Sequence, residues 1–324
     1  MLRTGVLILL VMSFFVIDLT LGSVQLGLSD VFDGLFAYDK NPEAQMVLSN
    51  FRLPRVITAF LAGAGLSVAG LLMQTLFQNP LAGPYVLGIN SGASMMVAIS
   101  TMLGFSVIGS DVGLVMSALV GALGAGLFIL FCSIYVRSKI SLLLIGVMFG
   151  SFAGALVNVI QSYSNPDDLK VFMLWSFGSL QNVSNDQIGI FTLIVLLGIL
   201  LTVLVVKPLD LLVLGEHQAS ILGVKIKRVR LLIIFITAIL VGTITAFCGP
   251  IAFVGLIIPN IVKMLYHTNN HLQLLIGVVL CGGFLVILCD IVMQLFIDTI
   301  HLPLNALTAI VGAPVVVWII IRRF

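Results

Sequence analysis

Residues Val56 to Ser110 read VITAFLAGAGLSVAGLLMQTLFQNPLAGPYVLGINSGASMMVAISTMLGFSVIGS, without one Asp, Glu, Lys or Arg. A helix that crosses a bilayer needs roughly 20 mostly apolar residues. This run is long enough for two spans and a turn between them. The turn announces itself in the middle as Asn79-Pro80-Leu-Ala-Gly83-Pro84, closed by Gly88. Proline breaks a helix ladder, and glycine tolerates the tight backbone that a re-entry needs.

Further uncharged runs flank this one: Thr4–Ile17, Val112–Val136, Gln187–Val206, Leu231–Val262 and Thr299–Ile321. The chain of 324 residues is 60% hydrophobic and only 9% charged. An average soluble domain carries about 25% charged residues, so this chain lacks the polar surface to cover a soluble core. Membrane β-barrels alternate in segments of about 10 residues, unlike these continuous Leu-, Ile-, Gly- and Ala-rich runs. The sequence therefore predicts an all-α integral membrane protein. Ten spans are expected, near 3–22, 56–77, 88–106, 112–135, 140–162, 187–206, 231–248, 251–266, 272–296 and 304–321, in a single bundle. Arg3 and the apolar run to Ile17 read as a retained first span, because Asp18 follows at once with no small-residue cleavage site. Pro259 is expected to kink or break the eighth span.

An even number of spans puts both termini on one side. That side holds Arg3, Arg137, Lys139, Lys207, Lys225, Lys227, Arg228, Arg230, Lys263, Arg322 and Arg323, and the other only Lys40, Arg52, Arg55 and Lys170. The positive-inside rule makes the richer side, with both termini, cytoplasmic. The acids Asp30, Asp33, Asp39, Glu43, Asp167, Asp168 and Asp186 fall outside. Residues 1–324 read as one transmembrane domain. Its longer loops are external 23–55, external 163–186 and cytoplasmic 207–230. Ser164-Asn-Pro-Asp167 is a helix-start signal within the second.

A net charge of +2 is too small to suggest nucleic-acid binding. Cys132, Cys248, Cys281 and Cys289 lie singly in apolar stretches and read as small buried hydrophobes. His217, His267, His271 and His301 sit in loops or at span edges without metal-ligand spacing, so no metal site is expected. No G-x-x-x-x-G-K-[ST] loop is present, which excludes ATP binding by that route. No H-E-x-x-H, G-x-S-x-G or acidic cluster suggests catalysis, and the chain reads as no enzyme.

Four stretches stand out as candidates for function. The first is cytoplasmic, Leu214-Gly215-Glu216-His-Gln-Ala219-Ser-Ile-Leu222-Gly223. Its glycines bracket a short polar helix that suits a docking surface as well as it suits a plain solvated loop. The second is the cytoplasmic re-entry with Asn79, Pro80, Gly83, Pro84 and Gly88. The third, Gly249-Pro250-Ile-Ala-Phe-Val-Gly255 with Pro259, reads as a helix break at membrane depth. The fourth is Arg52-Leu-Pro-Arg55 at an outer span edge, where arginines pair with acids of a partner or reach to lipid headgroups. Asp290 is the one acid well inside a span, a candidate proton or ion site.

In order along the chain, Arg52-Leu-Pro-Arg55, Asn79-Pro-Leu-Ala82, Leu87-Gly-Ile-Asn-Ser-Gly-Ala93, Leu214-Gly-Glu-x-x-Ala-x-x-Leu-Gly-Val224, Gly249-Pro-Ile-x-Phe-Val-Gly255, Leu302-Pro and Gly312-Ala-Pro314 resemble the FecCD-type permeases of ABC importers. The resemblance covers nearly the whole chain. It implies a multi-pass subunit of the bacterial cytoplasmic (inner) membrane. A second permease subunit, identical or related, pairs with it around a pathway. Two ABC ATPases carry ATP and Mg²⁺, so this chain needs no cofactor. An extracytoplasmic substrate-binding protein delivers the cargo, expected to be an iron–siderophore, with haem or cobalamin as the alternatives. Leu214, Gly215, Glu216, Ala219, Leu222 and Gly223 would form the ATPase-coupling element, and Arg52 and Arg55 would dock the binding protein. The sequence departs from the family at Gly83, where Asp is frequent, at Asn260 for His, and at Gln294 for Arg. The reading from another class is an ion-coupled secondary transporter built around Asp290.

Overall fold

The structure, a computed structural model, describes residues 2–22, 26–36, 42–104, 111–136, 138–296 and 302–323. Asp39, Lys40, Arg137 and His301 lie outside the described residues. Every regular element among the described residues is helical. The helices are α1 (Leu2–Thr20), α2 (Leu28–Phe36), α3 (Pro42–Val47), α4 (Leu53–Phe77), α5 (Ile89–Met102), α6 (Asp111–Tyr135), α7 (Lys139–Ser162) and α8 (Pro166–Ser176). They continue as α9 (Asn185–Val203), α10 (Val206–Leu212), α11 (Glu216–Ile221), α12 (Ile226–Cys248), α13 (Val254–Tyr266), α14 (His271–Leu295) and α15 (Leu304–Arg323). A π-helical turn, Leu48–Arg52, joins α3 to α4, and a 3₁₀ turn, Pro84–Leu87, precedes α5.

Eight of these helices are long and apolar enough to cross a membrane, and α13 is a shorter apolar helix. All ten expected spans have a helix, but α5 and α13 hold only 14 and 13 residues. At 1.5 Å per residue they reach about 20 Å, against about 30 Å for a hydrocarbon core. The missing length is irregular backbone that enters the bundle before each helix starts. Pro84–Leu87 lies against Gly146, well inside α7, and against Gly255 in the first turn of α13. Residues 249–253 do the same before α13. Such backbone is tolerated at membrane depth when protein surrounds it.

The bundle has two distinct ends. At one, Arg3 of α1 donates to Leu265 O, Thr4 meets Tyr266 at 3.0 Å, and Gln78 after α4 donates to Leu212 O at 2.9 Å. Lys139, Glu216 and Arg230 gather there too. At the opposite end Arg52 donates to Leu19 O at 2.6 Å and Asn185 meets Asn50 at 2.7 Å. The sides expected from the sequence for these residues therefore fall together in space. Because most cations gather at the first end, it is called the basic end below.

Helix α4 is the axis. It touches α14, α13, α12 and α9, and nearly all its side chains are buried. Its approach to neighbours depends on residues without side chains. A Cβ on Gly63 would overlap Gly282 O of α14, and one on Gly70 would overlap Gly255 O of α13. Small residues at helix crossings let dispersion contacts do the work that the hydrophobic effect does in water. Gly70→Val is accordingly expected to leave little detergent-stable protein. Gly124→Ala on the open face of α6, where a Cβ meets nothing within 4 Å, should melt like the parent or slightly higher. Thermal unfolding after detergent extraction compares the two, and equal melting would refute the packing argument.

The helix-start signal at Ser164–Asp167 yields α8, with Asn165 as N-cap and Pro166 in the first turn. Cys248, Cys281 and Cys289 are buried and unpaired, and Cys132 is half-buried and unpaired. No cluster of metal-ligating side chains occurs among the described residues.

Candidate functional site

The basic-end segment between α9 and α12 folds as two short helices, α10 and α11, around Gly215. Gly215 has φ +103, a conformation that L side chains rarely adopt, and it turns the chain sharply into α11. Glu216, the first residue of α11, reaches Arg230 of α12 at 3.1 Å and Lys139 of α7 at 3.5 Å. Arg230 also donates to Val136 O at 3.1 Å. Glu216 therefore fastens α11 to two spans. Ala219 is fully buried, and its carbonyl accepts from Val224 N at 3.0 Å. The small side chain of Ala219, expected in the coupling element, packs within the chain. The outward face is mixed, with His217, Gln218 and Ser220 exposed beside three large apolar side chains. Leu214 is 55% exposed, Ile221 73% and Leu222 58%. Lys225, Lys227 and Arg228 line a cleft beside Gly223. Exposed large apolar side chains among polar and basic ones are a frequent feature of protein-binding surfaces.

The re-entry and the helix break, far apart in sequence, form one unit. Asn79 builds an Asx-turn, its side chain accepting from Leu81 N at 2.9 Å. Tyr85 in the 3₁₀ turn donates to Ile251 O at 2.5 Å and accepts from Ile251 N at 3.1 Å. Asn260 of α13 donates to Pro80 O at 2.9 Å. The backbone of Gly255 lies so close to Pro84 that a Cβ would meet the ring at 2.7 Å. The break itself falls at Gly249–Phe253. Gly249 has φ +72, and a Cβ there would strike Trp175 O of α8. Pro259, expected to kink or break the eighth span, does not break it and lies inside a continuous α13. A proline this close to a helix start removes a single ladder bond. The carbonyl of Leu256 in the same stretch is satisfied by the side chains of Gln74 and Asn260, each at 2.9 Å.

At the opposite end, Arg55 of α4 grips Asp290 of α14 in a bidentate pair, with Nε at 2.8 and 3.0 Å and Nη2 at 2.7 Å. Asp290 is fully buried. Gln294, one turn later, donates to Asp290 at 3.1 Å and also to Asp18 of α1. Arg52 is 8% exposed and donates to the α1 carbonyl of Leu19. Both arginines thus spend their donors inside the chain, stapling α1, α4 and α14. The two arginines expected to dock a partner are thus largely buried, Arg55 paired with Asp290 of the chain itself and Arg52 with a carbonyl of α1. The pairing corrects the view of Asp290 as a lone acid awaiting an ion. Gln294, where the family often has Arg, bridges two carboxylates as a neutral donor. Asp18, Arg52, Arg55 and Gln294 line a cavity of about 840 Å³ with Asn50, Asn185 and Asp186.

One polar group was missed by sequence reasoning altogether. His271, the first residue of α14, lies between Asp210 of α10 and Thr75 of α4, with Nδ1 at 2.7 Å from the first and Nε2 at 3.1 Å from the second. The only trace in sequence is Asn270, whose side chain caps α14 by accepting from Leu272 N and Gln273 N. That signal places a helix start and says nothing of Asp210, some sixty positions away.

Each of these arrangements ties helices of the bundle to one another. Comparison with known proteins supplies the family. A model of the FecCD transport family matches residues 8–322. A hemin transport system permease of Yersinia pestis is 33% identical over 94% of this chain and 92% of its own. A vitamin B12 import system permease of Vibrio cholerae is 36% identical over 86% of this chain and 84% of its own. A solved structure described as a metal-chelate type ABC transporter in an inward-facing conformation superposes with a TM-score of 0.87 at 31% identity, covering 99% of each chain. By full-length likeness in sequence and in fold, the chain belongs to the FecCD transport family, as the membrane-embedded permease subunit of an ABC importer and not as an enzyme.

Proposed function

We propose that this chain carries a bulky metal chelate, an iron–siderophore, across the bacterial cytoplasmic membrane at the expense of ATP hydrolysed elsewhere. The observation that carries this reading is the α10–α11 segment. It exposes Leu214, Ile221 and Leu222 and is bolted through Glu216 to α7 and α12. A soluble ATPase seated there gains a mechanical hold on the bundle. The chain has no nucleotide loop of its own, so ATP and Mg²⁺ belong to two partner ATPases and no cofactor is bound here. The positive-inside rule assigns the basic end, and with it both termini, to the cytoplasm. The whole chain acts as one transmembrane permease unit within the lipid bilayer, with no role for nucleic acid.

A second permease subunit completes the pathway. Helix α7 supports this by exposing Ser151, Gly154, Ala155, Asn158 and Ser162 on one face. A polar, small-residue stripe is poorly suited to lipid and well suited to a watery channel between two subunits. An extracytoplasmic binding protein hands over the cargo at the end that carries the Asp18–Asn50–Asp186 cavity. Haem is the second reading for the cargo, favoured by the hemin permease of Yersinia pestis, and cobalamin the third.

Reconstitution into proteoliposomes with the partner ATPase tests the reading. Uptake of labelled chelate is expected to require internal ATP and to survive a protonophore. Uptake that ignores ATP and collapses with the proton gradient would overturn it. Competition among iron–siderophore, haemin and cobalamin for the binding protein ranks the three cargoes.

A further inference from the structure

The segment that faces the ATPase is held to the bundle twice, and only one of the holds is the Glu216 tie. Gly215 divides the segment into α10 and α11. Helix α11, through Glu216, belongs with α12 and α7. Helix α10 belongs with α4 and α14. Asp210 accepts from His271 twice, from the backbone N at 2.8 Å and from Nδ1 at 2.7 Å. His271 passes the connection to Thr75 at 3.1 Å, and Thr75 donates to Leu71 O one turn up α4 at 2.9 Å. Gln78 adds a parallel link to Leu212 O, the last residue of α10, at 2.9 Å.

The surroundings sharpen the case. His271 is buried, yet beside it lies a cavity of about 540 Å³ lined by Gln74, Thr75, Gln78, Leu214, Gly215 and Lys263 among others. Close packing therefore does not fill the space between the α10–Gly215 corner and the end of α4. Directional polar contacts span that gap instead. A buried, hydrogen-bonded chain holds one geometry and transmits displacement, because breaking it strands polar groups at a cost well above its net worth when intact. An acid at the first turn of α14 also complements the positive end of that helix.

We propose that Asp210, His271 and Thr75 form a transmission contact that carries movement of the ATPase-facing segment into α4 and α14, separately from the Glu216 tie into α7 and α12. The three are positioning residues; they act through the helices they join. Gly215, with its left-handed backbone, is the joint between the two arms. This inference rests on the function proposed above, and its test keeps the two apart.

The test uses the full complex with its ATPase in proteoliposomes and reads three quantities: ATPase retained on purification, ATP hydrolysed, and chelate moved per ATP. In Asp210→Ala and in Thr75→Val, the ATPase stays bound, because α11 keeps its own anchor. Chelate moved per ATP falls by about fivefold, the scale of one lost coupling hydrogen bond. Asp210→Asn, which keeps an acceptor for both His271 donors, restores the ratio to near that of the parent. A merely structural contact would lower the yield of complex and leave chelate per ATP unchanged; that result in Thr75→Val, the variant least able to disturb folding, overturns the proposal. Failure of the unmutated complex to couple uptake to ATP would overturn the function itself, and is seen before any variant is made.

Discussion

Glu216→Lys is expected to abolish ATP-driven uptake while the protein still folds into the membrane. The carboxylate lies 3.1 Å from Arg230 and 3.5 Å from Lys139. The substitution replaces their shared counter-charge by a third cation. Arg230 is 8% exposed and Glu216 31% exposed, so water screens the site only in part. Exposed pairs contribute at most about 1 kcal/mol, whereas breaking a buried pair costs about 3–5 kcal/mol. A figure of about 2 kcal/mol for detaching α11 lies between these limits. Spread over the core of the whole bundle, that loss leaves the fold intact, but α11 contains just six residues and has few other anchors. Co-purified ATPase and chelate uptake should both drop by tenfold or more. Glu216→Gln, which keeps an acceptor for Arg230 without the charge, should fall between. Normal ATPase retention with normal uptake in Glu216→Lys would remove the anchoring role.

Asp290→Ala should have the largest effect on stability. It leaves Arg55 charged, mostly buried and without its bidentate partner, which costs on the order of 3–5 kcal/mol. Extracted protein should melt far below the parent or fail to extract. Replacing both partners is different in kind. Arg55→Met with Asp290→Leu removes the charge pair along with its desolvation penalty, and stability should largely return. The same double variant separates two roles of the acid. Under the structural role drawn from the geometry, the double variant transports. Under an ion-coupled mechanism it would be stable and inactive, and that outcome would restore Asp290 as a transport residue.

The two ends of the bundle illustrate how differently function was legible in sequence. The α10–α11 element could be found from glycines, a polar interruption and flanking cations. Its docking face could not, because Ala219 and Leu222 look equally available until burial separates them. The intrachain contacts of Arg52 and Arg55 were hidden for a related reason. A cation at a span edge carries no record of what faces it, and Asp290 and Asp18 come from spans at the far end and the beginning of the chain. The re-entry around Pro84 and the break around Gly249 were each visible as local punctuation. Their meeting through Tyr85 and Ile251 was invisible.

What the sequence determined by itself was everything written in runs and local chemistry. Val56–Ser110 and its companions made the chain a helical membrane protein, cation placement divided its loops into a basic and an opposite end, and proline and glycine marked where helices stop. The physical reason is that transfer to lipid and helix termination act over one turn or one span, within contiguous residues. Only the tertiary structure decided which charges are spent internally, that α5 and α13 are short, and that Asp210, His271 and Thr75 form one chain of contacts. Those outcomes depend on hydrogen bonds and carbonyl-to-glycine approaches between spans, whose geometry is fixed by helix crossing and leaves no periodic trace along the sequence.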